Sequence, residues 1–124
     1  MKKILNYLWR GWMIVLGAVL TISLGIPVLL LSIRKEHYKY AYKLIRIWCF
    51  GMFYGMGFRY ELKKLTDKKI DKNTQYVFIS NHTSIMDVML PCILLPHHPL
   101  CYVGKKELVK IPIFGTIYKR ICVM

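Results

Sequence analysis

The sequence predicts an α/β protein held at a membrane by an N-terminal helix, followed by an incomplete, mainly parallel β-sheet with flanking helices. Three observations predict it. Residues 11–33, GWMIVLGAVLTISLGIPVLLLSI, contain no charge. Beyond residue 58, short β-rich apolar runs alternate with helix-patterned stretches, the order of a parallel sheet with crossover helices. Nineteen Lys and Arg stand against six Asp and Glu, for a net charge of +13, and the basic residues gather at the edges of apolar segments.

The uncharged run has 23 residues, which at about 1.5 Å each reach roughly 34 Å, enough for a hydrocarbon core of about 30 Å. A secretory signal would be shorter and end in small residues, whereas LLLSIRKE has no A-x-A pattern. A soluble core helix seldom goes so far without a charge. Residues 11–33 therefore read as a membrane helix, with Gly25 and Pro27 as points where it can bend. A second apolar piece, IWCFGMFYGMGF over residues 47–58, is too short to cross alone. It reads either as interfacial or as the short arm of a hairpin, and Gly51 and Gly55 have the small-xxx-small spacing of closely approaching helices. Residues 1–58 form the anchor and 59–124 a second unit.

Charge agrees with this division. Lys2, Lys3 and Arg10 precede the membrane helix, and Arg34, Lys35, Lys39, Lys43 and Arg46 follow it, an arrangement that attracts anionic headgroups by about 1 kcal/mol per residue. The heavier basic count after the helix orients the second unit toward the cytoplasm. Nucleic acid is excluded as partner because the charges flank apolar spans and no zinc-finger or RNP-like pattern is present. Cys49, Cys92, Cys101 and Cys122 have no C-x-x-C spacing and read as reduced thiols rather than a disulfide frame.

In the second unit, residues 59–73 are polar and read as a short exposed strand and a solvated turn. Residues 76–80, YVFIS, read as a buried strand. Residues 81–84 supply turn and cap chemistry, and 85–95 an apolar helix that Pro91 shortens or kinks, since it cannot donate to the carbonyl of Asp87. A loop at 95–99 leads to a second strand at 100–103. Residues 105–110 read as a helical turn, 113–119 as a helix, and 121–124 as the start of a third strand.

The chemistry centres on Asp87, the one formally charged side chain between residues 73 and 104. A carboxylate among apolar neighbours is costly to bury without a partner, and His82 is the nearest candidate. Five positions apart on one helix they would lie about 140° from each other, so a pair requires His82 in the turn before the helix and Asp87 in its first turn. A histidine so held keeps one tautomer and can take a proton from an alcohol. The competing reading is structural: Ser84-x-x-Asp87 matches a helix cap, and an acid at a helix start is favoured by the dipole. A second rival is a membrane-bound metal protein using Cys92, His97, His98 and Cys101, although that spacing matches no common zinc module.

Asn81-His82-x-x-x-x-Asp87 after an apolar strand resembles the first block of the glycerolipid acyltransferases, with the closest likeness to bacterial enzymes acting on 1-acylglycerol-3-phosphate. The resemblance continues through VGKKELVKIPIFG, residues 103–115, including its Lys-x-Glu-Leu. It implies transfer of an acyl group from acyl-coenzyme A or acyl-carrier protein to the hydroxyl of lysophosphatidic acid in phospholipid synthesis. His82 and Asp87 are then the catalytic residues, Lys105, Lys106 and Asn81 bind substrate, and no metal or other cofactor is called for. The family's later blocks, among them Glu-Gly-Thr-Arg, do not occur in these 124 residues. Residues 59–124 are accordingly expected to be part of a longer acyltransferase domain and inactive by themselves. The alternative of another class is a noncatalytic adaptor that holds anionic lipid through its basic face.

Overall fold

The computed structural model describes residues 1–81, 83, 84, 86–104 and 106–122. The described residues form four α-helices: α1 (Lys2–Leu31), α2 (Tyr38–Gly55), α3 (Met86–Leu94) and α4 (Phe114–Cys122). Short 3-10 helices occupy Lys35–His37 and Lys106–Lys110.

The helix α1 begins nine residues before the uncharged run, because Lys2 to Arg10 carry no residue that stops a helix. Its 30 residues give a rod of about 45 Å. It is long and apolar enough to cross a membrane, and its Ile4, Leu8, Val15, Val19, Ile22 and Leu30 are exposed. Ser32 closes it, its amide donating to the Val28 carbonyl at 2.9 Å and its hydroxyl to Leu29 at 2.8 Å.

The second helix also starts nine residues earlier than the apolar segment at 47–58 suggests. The reason is a stripe: Tyr42, Cys49, Met52, Phe53 and Met56 are all buried, at spacings that keep them on one helical face. Lys39, Lys43 and Arg46 leave this stripe intact, so the charges do not end the helix. Gly57, at φ +81°, does. The Phe58 amide reaches back to the Phe53 carbonyl at 3.1 Å and the Gly57 amide to Tyr54 at 2.9 Å, a paired closure that needs a left-handed residue.

Helices α1 and α2 run antiparallel. A methyl group at Gly51 would come within 2.9 Å of Leu20 Cδ1, and one at Gly55 within 2.6 Å of Leu16 Cδ2, so each glycine makes room for a leucine of α1. Trp12 Nε1 donates to the Gly55 carbonyl at 2.9 Å, Trp9 Nε1 to Met56 at 3.4 Å, and Trp48 Nε1 to Thr21 Oγ1 at 3.2 Å. The indoles of Trp12 and Trp9 thus satisfy the carbonyls of the last residue of α2 and of the residue that caps it, where a helix end leaves carbonyls without an internal partner.

The α/β expectation is overturned: the described residues form helices, turns and extended chain, with no strand. Residues 59–81 are exposed throughout. Within them Val77 and Ile79 keep 89% and 93% of their surface, so the run at 76–80 gains neither a ladder partner nor burial. β-Branched residues favour a strand only against such neighbours. The run at 100–103 is held by side chains instead. Tyr102 donates to the Val88 carbonyl at 2.7 Å, while Val103 is fully exposed. Residues 121 and 122 continue α4 rather than opening a strand, and Val123 and Met124 lie outside the described residues.

The third helix packs on α2 through Met89, Cys92 and Ile93. It is nine residues long with Pro91 inside, as the missing amide of that proline leads one to expect. Arg46 closes its far end, Nε donating to Cys92 O at 2.8 Å and Nη2 to Ile93 O at 3.2 Å, and Tyr42 adds a bond to Leu95 O at 3.0 Å. The fourth helix docks on α1: Arg120 Nη1 donates to Leu29 O at 3.1 Å, and Ile113, held at φ +64°, packs its Cγ2 over Gly25. A β-branched residue at positive φ is strained by roughly 1–3 kcal/mol.

Replacing Gly51 and Gly55 together by Val overfills the α1–α2 contact and should lower stability by about 1–3 kcal/mol. The same change at Gly11, which has open space around it, should have little effect; denaturation in mixed micelles measures both. Near the exposed chain, the Asp71 carboxylate accepts from the Asn73 amide at 3.1 Å and the Thr74 hydroxyl at 3.0 Å. These bonds, the Asn73 amide first, together with nearby His98, hold its pKa below the ordinary carboxylate value. A lowered folded-state pKa gives stability that is present above the unfolded value and lost as pH falls through the folded one. The Asn73 and Thr74 resonances should therefore move toward unstructured positions only in acid below the usual carboxylate range, and Asp71→Asn should remove that transition.

Candidate functional site

The start of α3 is where the chemistry converges. Ser84 precedes the helix, its hydroxyl accepting from the Met86 amide at 3.3 Å, and its carbonyl accepts from the Asp87 amide at 3.1 Å. Asp87 Oδ2 reaches back to accept from the Thr83 amide and the Ser84 amide, both at 2.7 Å, and from Thr83 Oγ1 at 3.3 Å. The side chains of Ser84 and Asp87 therefore each satisfy a backbone amide at the helix start, reciprocally, with the carboxylate also stabilised by the positive end of the helix.

This arrangement answers why an acid stands alone in an apolar stretch. Asp87 is half-buried, and its charge is met by two short amide bonds, which compensate for lost solvent. The structural reading of Ser84-x-x-Asp87 thus describes what this carboxylate oxygen does. It is also compatible with a second role, since a carboxylate clamped to the backbone has a fixed position from which to hold a neighbouring group. His82, the candidate for that group, lies outside the described residues, as does Lys105. Asn81 is exposed at the end of the extended chain. Lys106 begins a 3-10 helix and lines a groove with Val109, Lys110 and Lys119.

Several residues to which the sequence alone assigns no part in the site build the frame around Asp87. Arg46 and Tyr42 tie the other end of α3 to α2. Tyr102 donates to Val88 O, one residue beyond Asp87, and lies 3.1 Å from Cys92 Sγ; burial, followed by the Cys92 thiol beside it, pushes its phenol pKa up. Tyr118 of α4 donates to Tyr102 O at 2.8 Å and accepts from the Gly104 amide at 2.7 Å. The chain leading into Lys105 is therefore fastened to α4 on one side and to α3 on the other. The only sequence signal for these roles was the tyrosines' spacing from apolar neighbours, which does not specify a carbonyl 14 to 53 residues away.

The alternative metal set is not brought together. His98 Nε2 sits 2.8 Å from the backbone carbonyl of Asp71, Cys92 is buried beside Tyr102, and Cys101 is exposed. Among the described residues no group of three potential ligands could hold a metal ion.

Asp87→Ala removes the acceptor for two amides and should cost about 0.5–2 kcal/mol. Hydrogen exchange at the Thr83 and Ser84 amides should quicken while that of α2 is unchanged, and Asp87→Asn should fall between the two.

Comparison with known proteins adds one finding. A family model described as Acyltransferase matches residues 62–124, a span that includes the start of α3, the 3-10 helix at Lys106–Lys110 and α4. No curated protein and no solved structure matches the chain.

Proposed function

The chain belongs to the acyltransferase family, and on that premise we propose that it serves a membrane enzyme transferring a fatty acyl group from acyl-coenzyme A or acyl-carrier protein to the hydroxyl of lysophosphatidic acid. The observation that carries the reading is the anchored carboxylate of Asp87 inside the family match, five residues after His82. In the proposed reaction His82 takes the proton of the acceptor hydroxyl as its oxygen attacks the thioester carbonyl. The tetrahedral oxyanion then collapses, the C–S bond breaks, and the imidazolium returns the proton to the leaving thiolate. The products are an ester and a free thiol, and no serine or cysteine nucleophile takes part. Asp87 orients the ring and favours its charged form, as a carboxylate does for a histidine base.

Asn81 and Lys105 are the proposed contacts to the acceptor, Lys105 through its phosphate; Lys106 extends the same basic surface. The apolar length of α1 supports work on a lipid substrate at a bilayer. The heavier basic count after α1 supports a catalytic part on the cytoplasmic face.

The test is thiol release and ester formation from acyl-coenzyme A and lysophosphatidic acid, in membranes containing the protein expressed from its complete reading frame. His82→Ala should lower kcat by roughly 10²–10⁴-fold, with the variant still recovered in the membrane fraction. Activity within about twofold of the parent would remove His82 from the chemistry and favour the adaptor that only holds anionic lipid.

A further inference from the structure

The groove between the 3-10 helix at Lys106–Lys110 and α4 has a volume of about 480 Å³ and is lined by Lys106, Val109, Lys110 and Lys119. We propose that it is a binding site for the phosphate of an anionic membrane phospholipid, with Lys106 shared with the basic surface beside the acyl acceptor, and that this binding is independent of whether the chain performs acyl transfer.

The groove owes its shape to Gly115. This residue is buried, its amide donates to Ile111 O at 2.7 Å, and a methyl group there would run into the Val109 carbonyl. Backbone therefore lies directly on backbone, which brings two lysines of the 3-10 helix and one of α4 to a single opening. Residues 104–122 contain five basic residues and one acid, Glu107, and Glu107 does not line the groove. Among the described residues no salt bridge uses Lys106, Lys110 or Lys119.

Three cations around one opening specify an anion, and the walls specify which kind. They are mostly carbon, the lysine stems and Val109, so the ammonium groups stand at the rim while methylenes cover the sides. A free phosphate would find few polar groups inside. A phospholipid headgroup presents its charge to the rim and its glycerol to the carbon walls. Position points the same way: α4 and the residue before it rest on the C-terminal part of α1, through Arg120 on Leu29 O and Ile113 at Gly25. Lysines near an anionic bilayer each add to attraction for its headgroups.

The experiment uses the full chain in neutral detergent micelles, with its lysines ¹³C-dimethylated and their resonances assigned. It is titrated with dihexanoylphosphatidylglycerol, dihexanoylphosphatidylcholine and inorganic phosphate. The Lys106, Lys110 and Lys119 signals should move together along one saturation curve with phosphatidylglycerol, and far less with the other two. Replacing the three lysines by Gln should weaken the interaction by roughly a hundredfold, whereas replacing them by Arg should preserve it. Removing the same charge from the exposed chain, with Lys64→Gln, Lys68→Gln and Lys69→Gln, should leave it unchanged. Equal response to inorganic phosphate would make the groove a free-anion site. Equal loss in the Lys64, Lys68 and Lys69 variant, or three separate saturation curves, would reduce the effect to diffuse attraction. Any of these results overturns the proposal.

Discussion

The close approach of α1 and α2 at Gly51 and Gly55 sets the position of every other element. With leucines of α1 seated over the two glycines, α2 is left with a buried stripe from Tyr42 to Met56 that α3 can cover. Dispersion and burial at such a contact fall steeply with a fraction of an ångström of separation. A wider hairpin would tilt the stripe and move α3 with it. The indole bonds from Trp9 and Trp12 to the last carbonyls of α2 keep the two helices from sliding along each other.

From α2 the order passes outward through side-chain bonds to backbone carbonyls. Arg46 and Tyr42 hold the end of α3, Tyr102 ties the following chain to the middle of α3, and Tyr118 ties that chain to α4. Arg120 then returns α4 to α1. In the absence of a sheet among the described residues, these tyrosine and arginine bonds do what a ladder does elsewhere, fixing distant backbone segments relative to one another. Apart from the exposed bond of Tyr102 to Val88 O, they are partly buried, where a hydrogen bond is stronger and an unmet carbonyl more costly. The start of α3, with Asp87 at its first turn, is positioned by this circuit rather than by its immediate neighbours.

Much of the candidate site was legible locally. Ser84 and Asp87 obey a helix-start rule that acts over three residues, and the break at Pro91 follows from one missing amide. The family likeness on Asn81, His82, Asp87 and the stretch at 103–115 agrees with the family match over residues 62–124. The grouping of Lys106 with Lys110 and Lys119 was not legible, because it depends on the backbone contact between Gly115 and Val109. Nor was the long reach of Arg46 to Cys92 and Ile93, since a basic residue after an apolar helix reads equally well as a headgroup contact.

What the sequence determined by itself is what short-range chemistry decides: a helix of membrane-spanning length, the glycines where a second helix can approach, the turn and cap before α3, and the excess of positive charge. The tertiary structure alone decided whether apolar β-rich runs become strands. Residues 76–80 and 100–103 have the composition for it, but strand formation is a property of pairs, and among the described residues Val77, Ile79 and Val103 have no neighbouring strand to bury them. It also decided where α2 begins, because Tyr42 and Ala41 gain burial only once α1 and α3 are beside them. A helix can be closed by its own residues, whereas a sheet and a groove require groups that the chain brings from far away.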